Sequence, residues 1–310
     1  MDKYVILPDV TCDLSQEIRN TFDITDYIPG HIHFSDGRDF ATTLDWSLIS
    51  REDFYTALSD KKLEISTAPA SPEEYYATFK RYVEQGYAVL SMSISSKISS
   101  TYNIAASAAA RVQAEYPDGK IYCFDSYKMS GAFGLLVIGA AKLKQEGTSF
   151  DETVAWLEEN KHKVHQMGPI DDLIFVARRG RITMGKAIMG SFAGVKPMGD
   201  CTREGYVSVL AKVKGISKAL DVTCRYVERM ARDAQNQCVL IAHSNRAEYA
   251  ERLRALLAEK TAVGQILVTD VFSGCGTNIG PGMVGVYFLG DEISEDLASE
   301  KAAMTALLNG

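Results

Sequence analysis

The sequence predicts an α/β protein made of two α/β domains. The N-terminal one is built on a mostly parallel sheet with helices on both faces, and the C-terminal one on a mixed sheet with helices. Three observations carry this. From Pro72 to Gln145 helical and strand patterns alternate, the signature of a parallel sheet with crossover helices. A second set of strands and helices follows a Glu- and Lys-rich helix over 150–165. The length, 310 residues, suits two domains, with the division placed at 1–165 and 166–310.

The elements follow in order. Lys3–Leu7 reads as the first strand, and Asp9, Thr11 and Asp13 follow its C-terminal end, where open α/β sheets place ligand-facing loops. Thr11 or Asp13 is expected to cap a helix over 14–22. Residues 27–34 are extended, 35–39 turn, and 46–58 carry a helical apolar face from Leu48, Ile49, Phe54, Tyr55 and Leu58. Ile65–Pro72 reads as a loop, because two prolines and small residues cannot continue a helix. Ser71 caps the next helix and Pro72 opens it, but Ser66 and Thr67 lie too far upstream for that duty. A helix over 72–86, strand 87–92, helix 99–116, strand 121–124 and helix 130–145 complete the alternation.

In the second domain, residues 171–176 read as a strand. Arg178, Arg179 and Arg181 then form a local basic cluster, either a solvated turn or a docking site for an acidic partner. Met184, Ile188, Met189, Phe192 and Met198 supply flexible apolar surface, suited to a core or to a pocket for a hydrocarbon. A strand over 206–214, helix 216–234, strand 238–243, helix 245–259 and strand 265–271 come next. Phe272–Gly282, with four glycines and a proline, reads as a loop with Thr277 and Asn278 at its centre. Strand 283–289 and helix 292–308 close the chain.

Composition excludes several classes. The net charge of −7 argues against nucleic acid as a partner, since phosphate binding needs a concentrated basic surface. No apolar stretch is long enough for an integral membrane span, so any membrane contact is transient and at the surface. The N-terminus runs straight into a strand without signal-peptide regions, which points to a cytoplasmic protein. No two of the six cysteines form a CxxC pair, and the five histidines lack ligand spacing with cysteines or carboxylates. Neither a metal nor a cofactor is expected.

The densest chemical signal is Ser91–Tyr102. Six serines and a threonine fall in eleven residues between an apolar strand and an Ala-rich helix. Backbone N–H groups and the helix dipole there favour an anion, and hydroxyls add neutral donors. There is no lysine–glycine cradle for a polyphosphate, so a small, weakly charged head group fits. The competing reading is a plain N-cap by Ser99 or Ser100.

Taken together, Asp9–Asp13, Thr67–Pro72, Ile94–Tyr102, Phe124–Ser126, Arg178–Ile182, Lys196–Pro197 and Gly276–Gly282 resemble the DegV family, the fatty-acid-binding subunits of bacterial fatty acid kinase. The resemblance runs over nearly the whole chain. It implies two α/β domains with an apolar tunnel holding a long-chain fatty acid, whose carboxylate is bound by hydroxyls. The implied ligands are Thr67 and a serine of the turn, Ser99 with Ser95 as second choice, joined by Thr277 and Asn278 of the Gly-rich loop. Such a protein is non-catalytic. It presents the carboxylate to a separate kinase catalytic subunit, and the acyl phosphate feeds phospholipid synthesis. Arg178, Arg179 and Arg181, read from charge alone as a docking site or a phosphate contact, are the candidate partner contact. The chain departs from the family pattern in four places. Asn278 stands where the family usually has histidine, Ser100 and Arg179 replace glycines, and Ala68–Pro69 replaces a Ser–Gln pair.

Two other readings compete. One is a binding protein for a different small acidic or phosphorylated ligand, suggested by Asn278 and the arginines. The other is a serine hydrolase or acyltransferase, against which stand the lack of a Gly-x-Ser-x-Gly elbow and of a histidine near the turn.

Overall fold

The computed structural model describes residues 3–183 and 194–309. The first half supplies β1 (Tyr4–Pro8), α1 (Gln16–Thr21), β2 (His31–Phe34), β3 (Asp39–Ala41), α2 (Arg51–Ser59), β4 (Ile65–Ala68), α3 (Pro72–Glu84), β5 (Ala88–Ser93), α4 (Thr101–Glu115), β6 (Ile121–Asp125), α5 (Ser130–Gln145) and α6 (Phe150–Asn160). The second supplies β7 (Val164–Met167), α7 (Leu173–Arg178), β8 (Ile182–Thr183), β9 (Val195–Cys201), β10 (Val207–Lys214), α8 (Ile216–Met230), β11 (Cys238–His243), α9 (Ala247–Lys260), β12 (Gln265–Asp270), α10 (Ser273–Ile279), β13 (Val284–Leu289) and α11 (Ala298–Asn309).

The α/β class holds. Strands β1, β5 and β6 form a parallel sheet with β5 in the centre. A mixed sheet in the order β12-β11-β13-β7 lies in the second half, with β11 and β12 parallel and the other pairs antiparallel. Two smaller sheets, β3-β2-β4 and β8-β10-β9, flank the region between them.

Helix α5 ties these layers together. Its sequence is apolar on every side until Lys142, and a helix without a polar face must be covered all round. One core cluster accordingly joins Leu90 and Phe124 of the parallel sheet, Phe133 and Leu136 of α5, and Leu240 and Tyr287 of the mixed sheet. Close approach needs small residues here. A Cβ at Gly134 would stand 2.4 Å from the Cys12 carbonyl oxygen. Strand β7 belongs to the mixed sheet, so a division at 165/166 falls inside a strand.

Local expectations and structure part company at a few places. Residues 65–68 form a strand rather than a loop, because β2 offers an antiparallel edge with Ile32 opposite Thr67. Residues 173–178 form a short helix rather than a strand, with the Asp172 side chain accepting from the Phe175 N–H at 2.9 Å. The Gly-rich segment is helix α10 rather than a loop. Its glycines fit because a Cβ at Gly276 would stand 2.9 Å from both Phe54 Cε1 and Tyr55 Oη. Helix α2 starts only at Arg51, capped by Ser50, and α6 ends at Asn160, which places His165 on a strand. Ser15, not Thr11 or Asp13, caps α1.

Candidate functional site

A cavity of about 360 Å³ opens between the small β3-β2-β4 sheet, the Ser91–Tyr102 turn, the start of α5, helix α10 and strands β7, β9, β10 and β13. Most of its wall is aliphatic or thioether carbon, from residues such as Ile28, Ile94, Ile98, Met129, Met198 and Val209. The volume lies within the range of small-molecule sites.

Several hydroxyl and amide groups join this lining. Antiparallel pairing with β2 sets Thr67 near the end of β4, and Pro69 then turns the chain away. Helix α10 brings Asn278 to it, and the Asn278 amide donates to Thr67 Oγ1 at 3.3 Å across 211 positions of sequence. Ser99 and Ser100 reach the same cavity from the turn before α4. Ser100 occupies the N-cap position but makes no side-chain cap bond. Ser99 Oγ instead accepts from the Thr101 N–H at 3.3 Å and pairs with Thr101 Oγ1 at 2.7 Å. Thr67, Ser99 and Asn278 are each half-buried.

The remaining candidates are placed elsewhere. Ser95 is fully buried, and its hydroxyl donates to the Gly205 carbonyl at 2.9 Å. Thr277 is also fully buried and donates to the Ser273 carbonyl at 2.8 Å, within α10. Arg179 is anchored by a 2.9 Å bond to the Ile65 carbonyl, whereas Arg178 is exposed. Arg181 is exposed too, bonds the Arg179 carbonyl, and contributes to the cavity wall. Of the apolar residues singled out near it, Met198 is buried on the wall, while Met184, Ile188, Met189 and Phe192 lie outside the described residues.

Two buried carboxyls brace the site. Asp9 accepts from the Ile94 and Thr11 N–H groups, each at 2.8 Å, and from the Thr11 hydroxyl, so it ties the end of β1 to the serine turn. Burial raises its pKa. Asp13 takes the left-handed conformation at φ 50° and accepts from Ser130 Oγ at 2.6 Å and the Phe272 N–H at 2.9 Å. Burial pushes its pKa up to about 8. Sequence reasoning gave Asp13 only a capping role. Its actual duty, joining α5 to the approach of α10, has no local signature.

Four of the five histidines are paired with carboxylates. His31 pairs with Glu74 at 3.0 Å, His33 with Asp39 at 2.9 Å, His165 with Asp200 at 2.8 Å and His243 with Asp270 at 3.5 Å. Among the described residues no cluster of three or more metal-ligand side chains occurs, and no helix is long and apolar enough to cross a membrane.

Comparison with known proteins places this architecture. A family described as "Uncharacterised protein, DegV family" matches residues 3–291. A DegV domain-containing protein of Clostridium perfringens is 33% identical over 291 residues, covering 94% of this chain and 99% of its own. The chain belongs to the DegV family. Solved DegV structures superpose over nearly the whole length. A DegV lipid binding protein from Thermotoga maritima has a TM-score of 0.81 at 23% identity, covering 94% of this chain and 99% of its own. A fatty-acid-binding DegV protein from Thermus thermophilus has a TM-score of 0.81 at 24% identity, covering 93% and 99%. The Streptococcus pneumoniae Fatty Acid Kinase (Fak) B3 protein loaded with linoleic acid has a TM-score of 0.77 at 18% identity, covering 93% and 100%. The resemblance read from the motifs is therefore correct at the level of family and fold.

Within this DegV fold, two cavity residues carried no sequence signal. Gln166 and Tyr287 sit opposite each other in the β7–β13 register and both line the cavity. Only the pairing of two strands over a hundred residues apart brings them together.

Proposed function

We propose that this protein binds a long-chain fatty acid, with the tail in the apolar cavity and the carboxylate at Thr67, Ser99 and Asn278. The observation that carries the reading is the meeting of Thr67 and Asn278 on the wall of a mostly apolar chamber. A carboxylate buried in hydrocarbon is costly unless donors satisfy it, and neutral hydroxyls and an amide beside a helix N-terminus supply them. Each charge-assisted bond contributes about 1.5–3 kcal/mol, and burial of the tail adds about 0.8 kcal/mol per methylene. Ser95 and Thr277 act through the backbone they hold rather than by touching the ligand.

The protein is a binding partner, not the catalyst. It holds the carboxylate for a fatty acid kinase catalytic subunit, which transfers phosphate to it, and the acyl phosphate enters phospholipid synthesis. Arg178 and Arg181 are the exposed cations for that encounter, while Arg179 fixes the turn that carries them. The related S. pneumoniae protein named above supports this assignment.

Denaturing mass spectrometry after organic extraction tests the first step. One co-purifying long-chain acid per chain is expected. A phosphorylated or short polar acid in its place would overturn the reading in favour of a different anion, for which Arg181 on the wall is the favouring feature. The second step is tested by adding the catalytic subunit from the same cell with ATP and loaded protein. Acyl phosphate, trapped with hydroxylamine, is expected only when both proteins are present.

A further inference from the structure

Leu48 belongs to no core cluster and lies outside the cavity. Its spacing reads as part of an apolar helix face, but it stands ahead of α2 and is 52% exposed. Among the described residues only Ile174 is a comparably exposed large apolar side chain. Leu48 lines a shallow groove between α2, the turn at 35–38 and the segment before β4. Trp46, Ile49 and Leu63 add apolar surface to the groove and pack below it against the small core of Phe34, Phe54 and Ile65.

The rim is acidic. Asp53, Ala57 and Asp60 follow one another at helical spacing along the same side of α2, and Asp36 joins them from the turn. Arg38 is the one cation on this lining among the described residues, and it is paired with Asp36 at 2.7 Å. Asp53 accepts from the Ser50 hydroxyl at 2.8 Å and Asp60 from the Lys62 N–H at 2.9 Å, and neither forms an ion pair among the described residues. Lys61 and Lys62 follow Asp60 in sequence but do not line the groove. Apolar surface between uncompensated carboxylates suits an apolar side chain flanked by cations. The groove also backs onto the carboxylate site. The other face of α2 turns Phe54 and Tyr55 inward, where Tyr55 Oη donates to the Val271 carbonyl at 2.7 Å and both side chains close on Gly276, two residues before Asn278. Phe175 of α7 packs against the same small core, so the groove and the arginines that follow Phe175 border one layer.

We propose that this groove docks the kinase catalytic subunit through a segment of that partner carrying an apolar anchor flanked by lysine or arginine. This rests on the kinase-presentation reading above and names the surface it uses. Leu48 and its neighbours take the apolar side chain, and Asp53 and Asp60 take the cations. The contact is opposite in sign to that of Arg178 and Arg181, so a partner must carry both charges in the right places to cover the layer. Such a pattern orients the encounter and rejects wrong partners. The groove takes no part in chemistry.

The test is the affinity of the fatty-acid-loaded protein for the catalytic subunit from the same cell, read by biolayer interferometry. Three variants are compared with the native chain. One is Leu48→Ser. The second is Asp53→Asn with Asp60→Asn, which keeps the acceptors that Ser50 and Lys62 use. The third is Glu248→Gln with Glu251→Gln, which removes as much charge from the exposed side of α9. Thermal unfolding and fluorescent fatty-acid displacement establish that each variant is folded and loads as the native chain does. Leu48→Ser and the aspartate pair are each expected to weaken kinase binding about tenfold, and the α9 pair to leave it unchanged. At about 1 M salt, where charges more than about 3 Å apart are screened, the native chain should lose its advantage over the aspartate pair. The proposal alone is overturned if both groove variants bind the kinase as tightly as the native chain, or if the α9 pair weakens binding as much as they do. A native chain that loads fatty acid but binds no kinase overturns the presentation reading and this proposal with it.

Discussion

Two polar clusters in this protein use similar groups to opposite ends. At Thr67, Ser99 and Asn278, half-buried neutral groups line one cavity, Asn278 bonding Thr67 loosely at 3.3 Å, and keep bonding capacity in hand. At His165, Asp200 and Tyr226 everything is buried and matched. His165 Nδ1 meets Asp200 at 2.8 Å and Nε2 meets the Asp291 carbonyl at 2.9 Å. Asp200 also accepts from the Gln166 and Cys201 N–H groups at 2.8 and 2.7 Å and from Tyr226 Oη at 3.1 Å. Both partners of the His165 ring are acceptors, so the ring donates from both nitrogens as an imidazolium. Burial opposes that charge, but Asp200 outweighs it and the pKa is raised. A fully matched polar cluster has nothing left to offer a ligand and serves to fix β7 against β9. A partly matched one on a cavity wall can still bind.

The contrast can be broken first at the closed cluster. Asp200→Asn leaves a buried imidazolium without its counter-charge and is expected to cost about 3–5 kcal/mol. Urea unfolding should show a lower midpoint at unchanged slope. An unshifted midpoint would mean that the pair is not structural.

Asp13 gives the next largest effect, as a pH dependence. Its folded pKa is raised from 3.8 to about 8, so the folded state holds a proton that the unfolded state releases. Its contribution is fully present below 3.8 and is lost as pH rises toward about 8. Asp13→Asn should flatten the stability profile across that window, read as urea midpoints at successive pH values. His165 adds to the same trend, its contribution being full below about 6.5 and lost as pH rises through its raised value.

The open cluster should answer in binding, not stability. Thr67→Ala and Ser99→Ala are each expected to weaken fatty-acid affinity about tenfold, since a charge-assisted bond is lost. Their melting temperatures should stay near the native value. Unaltered affinity in both variants would remove the head-group assignment.

The smallest change sharpens the contrast. Asn278→His places a titrating ring beside Thr67. Affinity for the carboxylate should then rise a few-fold as pH falls through about 6.5, where the ring gains charge. The native protein, with its neutral amide, should show no such rise. Fluorescent fatty-acid displacement at several pH values reads both.

Sequence reasoning went furthest where the signal is local. Ser71 caps α3 with Pro72 as its first residue, as the sequence reads. The alternation from Pro72 to Gln145 reported the parallel sheet. The serine turn was recognised as a chemical feature, and an ordered set of motifs identified the family. It failed where a neighbour overrides the local pattern. Thr67 lies on a strand because β2 offers an edge, despite two prolines nearby. Glycines that suggest a loop form α10 because Phe54 and Tyr55 leave room for nothing larger.

By itself, then, the sequence determined the alternation of helix and strand from α3 to α5 and the hydroxyl-rich residue types, because periodicity, caps and composition act within a few residues of one another. Only the tertiary structure decided which hydroxyls stay open to a ligand. Ser95 and Ser99 are four residues apart on one turn, yet one is sealed against Gly205 and the other lines the cavity. Thr67 finds Asn278 across 211 positions, and Gln166 faces Tyr287, through packing and strand register. Those depend on the free energy of the whole core, which no short stretch of chain contains.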